Sequence, residues 1–304
     1  MTAVTGPVRI GVDFGGTKIE AIALDGNGLE LARQRMPTPR HDYEGTLQLI
    51  ADLVRSLETQ LGVTASVGVG IPGTISPKTG LVKNANSTWC IGKPFEADLS
   101  HLLGREVRTA NDANCFAVSE AVDGAAAGAA LVFGVIIGTG VGGGVVLHGR
   151  ALTGPHAIAG EWGHNPLPWP TADEWPGSLC YCNKLGCIET WLSGPGFSTD
   201  VERVTGRTLS PVQVLEAAAA GDAQCEAAWQ RYCGRMARAL AGVINLLDPD
   251  VIVFGGGMSN CDRLYTDVTP QLASFVFSDD CDTPLRKAMH GDSSGVRGAA
   301  WLWE

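Results

Sequence analysis

The chain has 304 residues, 45% of them hydrophobic, and a formal net charge of −10. That hydrophobic share suffices for a sizeable core, in two lobes of ~150 residues each, whereas the acidic balance argues against a nucleic-acid surface, which needs a basic patch. No apolar run approaches the ~20 residues of a membrane-spanning helix, residues 1–6 are short and polar rather than leader-like, and nine cysteines without an export signal point to reduced thiols in the cytoplasm.

The first elements read as sheet. Apolar strands are expected over 8–14, 19–24 and 29–36, with Asp25-Gly26-Asn27-Gly28 as a hairpin signal. A helix follows over 43–62, because Leu47, Ile50, Leu53, Val54, Leu57 and Leu61 recur along one face. Residues 66–71 read as a buried strand ended by Pro72-Gly73, and 106–109 as another, followed by Asn111-Asp112 and an Ala-rich helix to about Gly128. A second round starts at Leu131 with a strand over 131–137, a glycine turn and a strand over 144–147. Helices are expected over 211–220 and 224–247, a buried strand over 251–254 and a last helix over 295–303. This alternation implies an α/β fold. No low-complexity linker divides the chain, so the lobe boundary is placed near 118–130.

Three glycine turns each follow a strand. They are Asp13-Phe14-Gly15-Gly16-Thr17-Lys18, Gly138-Thr139-Gly140 running on to Gly144, and Gly255-Gly256-Gly257-Met258-Ser259. Without Cβ atoms, backbone N–H groups can approach phosphate oxygens. Thr17 and Thr139 can add hydroxyl donors, and Lys18 either a charge or a solvent-facing side chain. Asp13 can orient Mg²⁺ through water, as suits a hard cation. One such turn is a common hairpin; three at strand ends together point to a nucleotide. None fits the P-loop or the dinucleotide fingerprint in its required context.

Asp112 has two readings: a helix cap, or a general base at the carboxyl end of a strand. Phosphoryl transfer asks for positioning, charge neutralisation and a carboxylate to take the hydroxyl proton. A polyol would need several fixed polar groups, for which Asn84, Asn86, Asn111, Glu161, His164 and Glu189 are candidates. The run Lys83-Asn84-Ala85-Asn86-Ser87 also reads as a surface turn.

The segment EWGHNPLPWPTADEWPGSLCYCNKLGCIE (161–189) carries His164 and then Cys180, Cys182 and Cys187 at C-x-C-x4-C spacing. Three thiols and an imidazole suit Zn²⁺ in a closed tetrahedral site, against free thiols or a disulfide as the alternative. Zinc on one ring nitrogen of His164 would leave the other for a ligand.

These residues resemble the ROK sugar kinases over essentially the whole chain. The matching motifs are DFGGTK, ANDAN around Asp112, IIGTGVGGG, GEWGHNP, CYCNKLGCIET and GGGMS. Within the family, KNANSTW at 83–89 and HGDSSGVRGAAWLW at 290–303 look most like bacterial fructokinases of the manno(fructo)kinase type. The resemblance implies two actin/hexokinase-like (ribonuclease H-like) lobes over a cleft, divided as 1–120 and 121–289 with the C-terminal helix of 290–304 returning to the first, and a homodimer. It implies Asp112 as catalytic base, and Gly73, Asn86, Asn111, Asp112, Glu161, His164 and Glu189 around the hexose. Asp13, Gly15, Gly16, Thr17, Lys18, Gly138, Thr139, Gly140, Gly255, Gly256 and Gly257 would hold ATP and Mg²⁺. Zinc would sit on His164, Cys180, Cys182 and Cys187. The expected reaction is phosphorylation of D-fructose at its 6-hydroxyl, with a glucokinase or an N-acetylhexosamine kinase as alternatives. A sugar-responsive regulator would need a DNA-binding segment ahead of the first strand, and a silent sugar-binding scaffold would not need Asp112 and the glycine loops.

Overall fold

The computed structural model describes residues 6–303. The expectations that fell on residues 1–5, including the leaderless start, and on Glu304 lie outside the described residues. Strands β1 (Arg9–Phe14), β2 (Lys18–Leu24), β3 (Glu30–Pro37) and β4 (Ser66–Ile71) appear where the apolar runs place them. Helix α1 (Tyr43–Leu61) starts on Asp42, whose side chain accepts from Gly45 N, and stops at Gly62 in the left-handed region. Its buried face contains Leu47, Ile50, Leu53, Val54 and Leu57, as the periodicity predicts. Two short strands, β5 (Thr74–Ile75) and β6 (Val82–Lys83), precede α2 (Phe95–Leu103), β7 (Val107–Asn111) and α3 (Asp112–Val122).

The first five-stranded sheet has the order β3-β2-β1-β4-β7. Its first three strands pair antiparallel, and β1, β4 and β7 run parallel. Parallel neighbours bring three carboxyl ends to one edge, which is where α/β sheets present ligand-binding turns. The C-terminal helix, Ser294–Ala300, lies directly on this sheet. Gly11 and Gly68 make that possible: a Cβ at either would fall 2.1 Å from Val296 O and 1.9 Å from Ala299 O. The helix is also tied to α3, where the buried Glu120 carboxylate accepts from Ser294 Oγ at 2.8 Å and from the Met289 N–H at 2.9 Å. Helix α3 ends at Val122, short of the expected Gly128, because Glu120 also takes the Ala125 N–H and turns the chain there.

The second sheet repeats this pattern with β8 (Leu131–Ile137), β9 (Val141–Leu147), β10 (Arg150–Ala151), β11 (Val251–Gly255) and β12 (Leu285–Lys287) in the order β10-β9-β8-β11-β12. Here β8, β11 and β12 are parallel. The helices that follow β10 are α4 (Glu189–Leu192), α5 (Gly194–Thr205), α6 (Pro211–Ala219), α7 (Ala223–Leu247) and α8 (Arg263–Leu272).

The chain forms two units. The first holds the described residues up to Gly128, then Gly144–Ala159 and the segment from Met289; the second holds Ala129–Gly143 and Gly160–Ala288. Besides the expected N-terminal part and the returning C-terminal segment, the first unit thus also takes in Gly144–Ala159. The segment 144–159 joins the first unit because Gly144, lacking a side chain, lets β9 approach α3: a Cβ there would lie 2.7 Å from Ala113 O.

Candidate active site and metal cluster

In the first unit, Asp13 is the last-but-one residue of β1, Gly73 follows β4, and Asn111 closes β7 with Asp112 next to it. The parallel pairing of those strands gathers these residues at one sheet edge. Asn111, not Asp112, caps α3. Its Oδ1 accepts from the Ala113 N–H at 3.0 Å while its Nδ2 donates to Gly73 O at 3.1 Å. Asp112 is the first helical residue and stays exposed, with Oδ1 2.9 Å from the Ala113 N–H. The capping role is thus filled by its neighbour. Gly73 is required as glycine: its φ is +136° and a Cβ would meet Ala85 and Lys83 O at 2.8 Å. That close approach brings the exposed Asn86 beside the turn.

The Asp13 carboxyl is strongly perturbed. Burial, then the negative charges of Asp112 and Glu20, push it up to about 6, and Lys18 and Arg35 pull less strongly the other way. The following turn is closed by Gly15 N–H donating to Lys18 O at 3.0 Å and braced by Thr38 Oγ1 donating to Gly15 O at 2.7 Å. Thr17 accepts from the Thr38 N–H through its carbonyl, and no atom crowds the outer side of Gly16. Lys18 pairs with Glu20 at 3.7 Å and so has a protein partner for its charge.

In the second unit, the two remaining glycine turns follow adjacent parallel strands, β8 and β11, whose ends pair Ile136 with Gly255. Gly138-Thr139-Gly140 closes on itself through Gly138 N–H to Gly140 O at 3.0 Å. Gly256 packs on the other: a Cβ would lie 2.4 Å from Ile137 O. Ser259 Oγ donates to Gly256 O at 2.7 Å, and the side of Gly257 is open. Glu189 joins this assembly, since its Oε2 accepts the Val141 N–H at 3.0 Å. One carboxylate therefore connects the cysteine segment to the glycine turn.

The donor atoms of His164, Cys180, Cys182 and Cys187 all lie within 4.8 Å of one another. Cys180 Sγ is 3.6 Å from His164 Nδ1, and the Cys182 and Cys187 sulfurs are 3.6 Å apart. A tetrahedron with metal–sulfur bonds of about 2.3 Å has sulfur–sulfur edges of about 3.8 Å, close to the Cys182–Cys187 separation, so the four residues could hold a metal ion. Local geometry explains the gathering. Asn183 adopts a positive φ and donates its N–H to Cys180 O at 2.9 Å, and Cys180 N–H donates to Lys184 O at 2.8 Å. None of the nine cysteines is in a disulfide. Glu161 is exposed at the start of the short turn Trp162–His164.

Two features escape the sequence reading. Tyr181, between two of the cysteines, places its hydroxyl 2.8 Å from His164 Nε2, so the nitrogen expected to face a ligand already has a partner. Burial, then Glu189 and Glu161, raise this phenol to about 12, as befits a hydroxyl set among carboxylates. The second feature is the anchoring of the segment between His164 and Cys180. Glu174 anchors it, accepting from Arg235 Nε and Arg238 Nη2, both at 2.8 Å, on α7. Burial alone would raise Glu174, but hydrogen bonds from Arg238, the Thr171 N–H and Arg235 hold it down at about 2. Arg235 is buried and continues to Asp200 on α5 at 2.9 Å.

Two five-stranded sheets share one strand order, and each carries glycine turns at the carboxyl ends of parallel strands, as suits the binding of phosphate groups. The ROK family profile matches residues 9–304. An N-acetyl-D-glucosamine kinase of Yersinia pseudotuberculosis is 40% identical over 296 residues, 96% of this chain and 97% of that one. The enzyme of the same name from Pectobacterium atrosepticum is likewise 40% identical over 96% of this chain and 97% of its own. Among solved structures, a ROK hexokinase from Thermus thermophilus superposes with a TM-score of 0.86 at 29% identity, covering 97% of each chain. A ROK glucokinase from Streptomyces griseus, in complex with glucose and AMPPNP, gives 0.74 at 26% identity over 97% of this chain and 98% of that one. The chain belongs to the ROK family, as a sugar kinase.

Proposed function

We propose that the protein is an ATP-dependent kinase of N-acetylhexosamines, with N-acetyl-D-glucosamine as preferred substrate and the 6-hydroxyl as acceptor. The observation that carries this reading is the 40% identity, over nearly the whole chain, to kinases named for that sugar. The fructose expectation gains no support from these relatives, and the N-acetylhexosamine alternative replaces it.

Asp112 would accept the proton of the sugar hydroxyl as its oxygen attacks the γ-phosphorus and the bond to the β-phosphate oxygen breaks. An exposed carboxylate on the first residue of α3, next to the Asn111 cap, suits that role. Gly73, Asn86, Asn111, Glu161, His164 and Glu189 would bind the sugar. The turns at Gly15–Thr17, Gly138–Gly140 and Gly255–Gly257 would receive ATP, and Asp13 would orient the waters of Mg²⁺. Lys18, already paired with Glu20, would contribute less directly. His164 Nδ1 and the sulfurs of Cys180, Cys182 and Cys187 would hold zinc in a closed, structural site that keeps the 161–189 segment in place. A homodimer in the cytoplasm completes the proposal.

A substrate panel tests it. With Mg²⁺ and ATP, ADP release should be most efficient with N-acetyl-D-glucosamine, ahead of N-acetyl-D-mannosamine, glucose, mannose and fructose. A higher kcat/KM for glucose or fructose would overturn the acetamido reading and leave the sugar kinase assignment standing.

A further inference from the structure

A segment outside the glycine motifs holds the first of them in shape. The three carbonyl oxygens of Gly15, Gly16 and Thr17 are all taken by residues 38–40, at the junction of β3 and α1. Thr38 Oγ1 donates to Gly15 O at 2.7 Å, Arg40 Nε to Gly16 O at 2.9 Å, and the Thr38 N–H to Thr17 O at 3.1 Å. The peptide bonds of the turn are trans, and in a trans peptide the N–H of the next residue points opposite to the carbonyl. Fixing these carbonyls therefore aims the N–H groups of Gly16, Thr17 and Lys18 the other way. Among the described residues, neither the Gly16 nor the Thr17 N–H donates to a protein acceptor, and the outer side of Gly16 is open.

We propose that Thr38 and Arg40 are positioning residues for the nucleotide: by holding the carbonyls back, they present successive N–H groups of the Gly15–Thr17 turn to a phosphate of ATP. Successive N–H groups on one side of a turn form an anion-binding concavity, and a carbonyl that swung toward the phosphate would repel it. The bracket resists that swing. Thr38 is buried. The Asp42 N–H donates to Pro39 O at 3.3 Å and the Asp42 side chain caps α1, so the segment is continuous with a 19-residue helix that has a buried face. His41, in the same segment, packs edge-on against Trp89 at 5.2 Å, and Trp89 against Phe14 at 6.4 Å, so the residue ahead of the turn is held as well. Thr38 carries the larger share, because it makes two of the three bonds, whereas the Arg40 bond is exposed.

The inference rests on the nucleotide reading of this turn, and Gly16→Val tests that reading separately. Nothing lies within 4 Å of where its Cβ would stand, so the variant should fold, yet its bulk would occupy the place of the phosphate. Steady-state kinetics on the full-length protein give KM for ATP and for the sugar, and calorimetry gives the affinity for AMPPNP with Mg²⁺. Thr38→Val keeps the shape of the side chain and removes the hydroxyl. KM for ATP should rise about 5-fold in Thr38→Val, the worth of one hydrogen bond, and about 2-fold in Arg40→Ala. KM for the sugar should stay near its wild-type value in both. Thr38→Ser keeps the hydroxyl and should restore KM for ATP. An unchanged KM for ATP in Thr38→Val overturns the inference, as does an equal rise for sugar and ATP, or a Thr38→Ser no better than Thr38→Val. If Thr38→Val does not fold, the surface variant Arg40→Ala decides, and no rise for ATP there overturns the inference. Wild-type ATP affinity in Gly16→Val removes the nucleotide reading of the turn and this inference with it. Loss of ATP affinity in Gly16→Val beside full affinity in Thr38→Val sinks this inference alone.

Discussion

Asp13 and Asp112 stand at the ends of two strands that flank β4, and the charge of Asp112 adds to burial in holding the Asp13 carboxyl near 6 rather than 3.8. A native acid that binds its proton more tightly than the unfolded chain loses stability as pH rises. The loss begins above the unfolded value of about 4 and is complete somewhat above 6, amounting to at most about 3 kcal/mol. Asp13→Asn should therefore melt higher than wild type at pH 7.5 without ligands, with the gap closing toward pH 4. Thermal melts of both proteins across that range check this, and equal melting points at pH 7.5 would refute it. Saturating Mg²⁺ and nucleotide should stabilise wild type more than the variant.

Asp112→Asn should lower kcat by about 10²–10⁴ while sugar binding stays within a few-fold, as expected for a general base. Because Asn111 caps the helix, folding should be unaffected. Steady-state kinetics with calorimetric sugar titration decide the matter; half of wild-type turnover would rule Asp112 out.

Glu174→Gln leaves the buried Arg235 and Arg238 without their shared carboxylate. Breaking a buried pair on one side typically costs about 3–5 kcal/mol, so the melting temperature should fall by several degrees. Glu174 itself has a depressed value, so its contribution is complete above pH ~4.5 and is lost as pH falls through about 2. The difference between wild type and variant should accordingly shrink in strong acid. An unchanged melting point at neutral pH would show that the insertion is held by other contacts.

Glu189→Gln tests the bridge from the cysteine segment to the glycine turn. Its carboxylate accepts the Val141 N–H, and a charged acceptor is worth roughly 1.5–3 kcal/mol. KM should rise for both the sugar and ATP. A change confined to the sugar would mean that the bridge does not order the turn.

Cys182→Ser should weaken sugar affinity before it lowers global stability, because the metal would hold a loop rather than a core. Metal analysis of the purified wild type should find one zinc per chain. Full activity in strong chelator would leave the cysteines as ordinary thiols.

The sequence by itself determined the long strands of both sheets, most of which are buried apolar runs, the amphipathic α1 and α7, and the family; the short β5, β6, β10 and β12 and the exposed face of β3 follow from pairing that no local pattern announces. Helix α5 stayed hidden behind its Gly-Pro-Gly opening, although the Ser193 cap and Pro195 form an ordinary helix start. Helix α8 was masked by the internal Pro270. Local sequence left Asp112 as either a helix cap or a base, and the fold gives the cap to Asn111, whose amide is held by Gly73 O. Tertiary structure alone assigned Gly144–Ala159 to the first unit, paired Tyr181 with His164, and tied Glu174 to arginines more than 60 residues away. These relations depend on close approach between segments distant in sequence. Periodicity and composition report which face of an element is apolar, not which side chain waits on the other side.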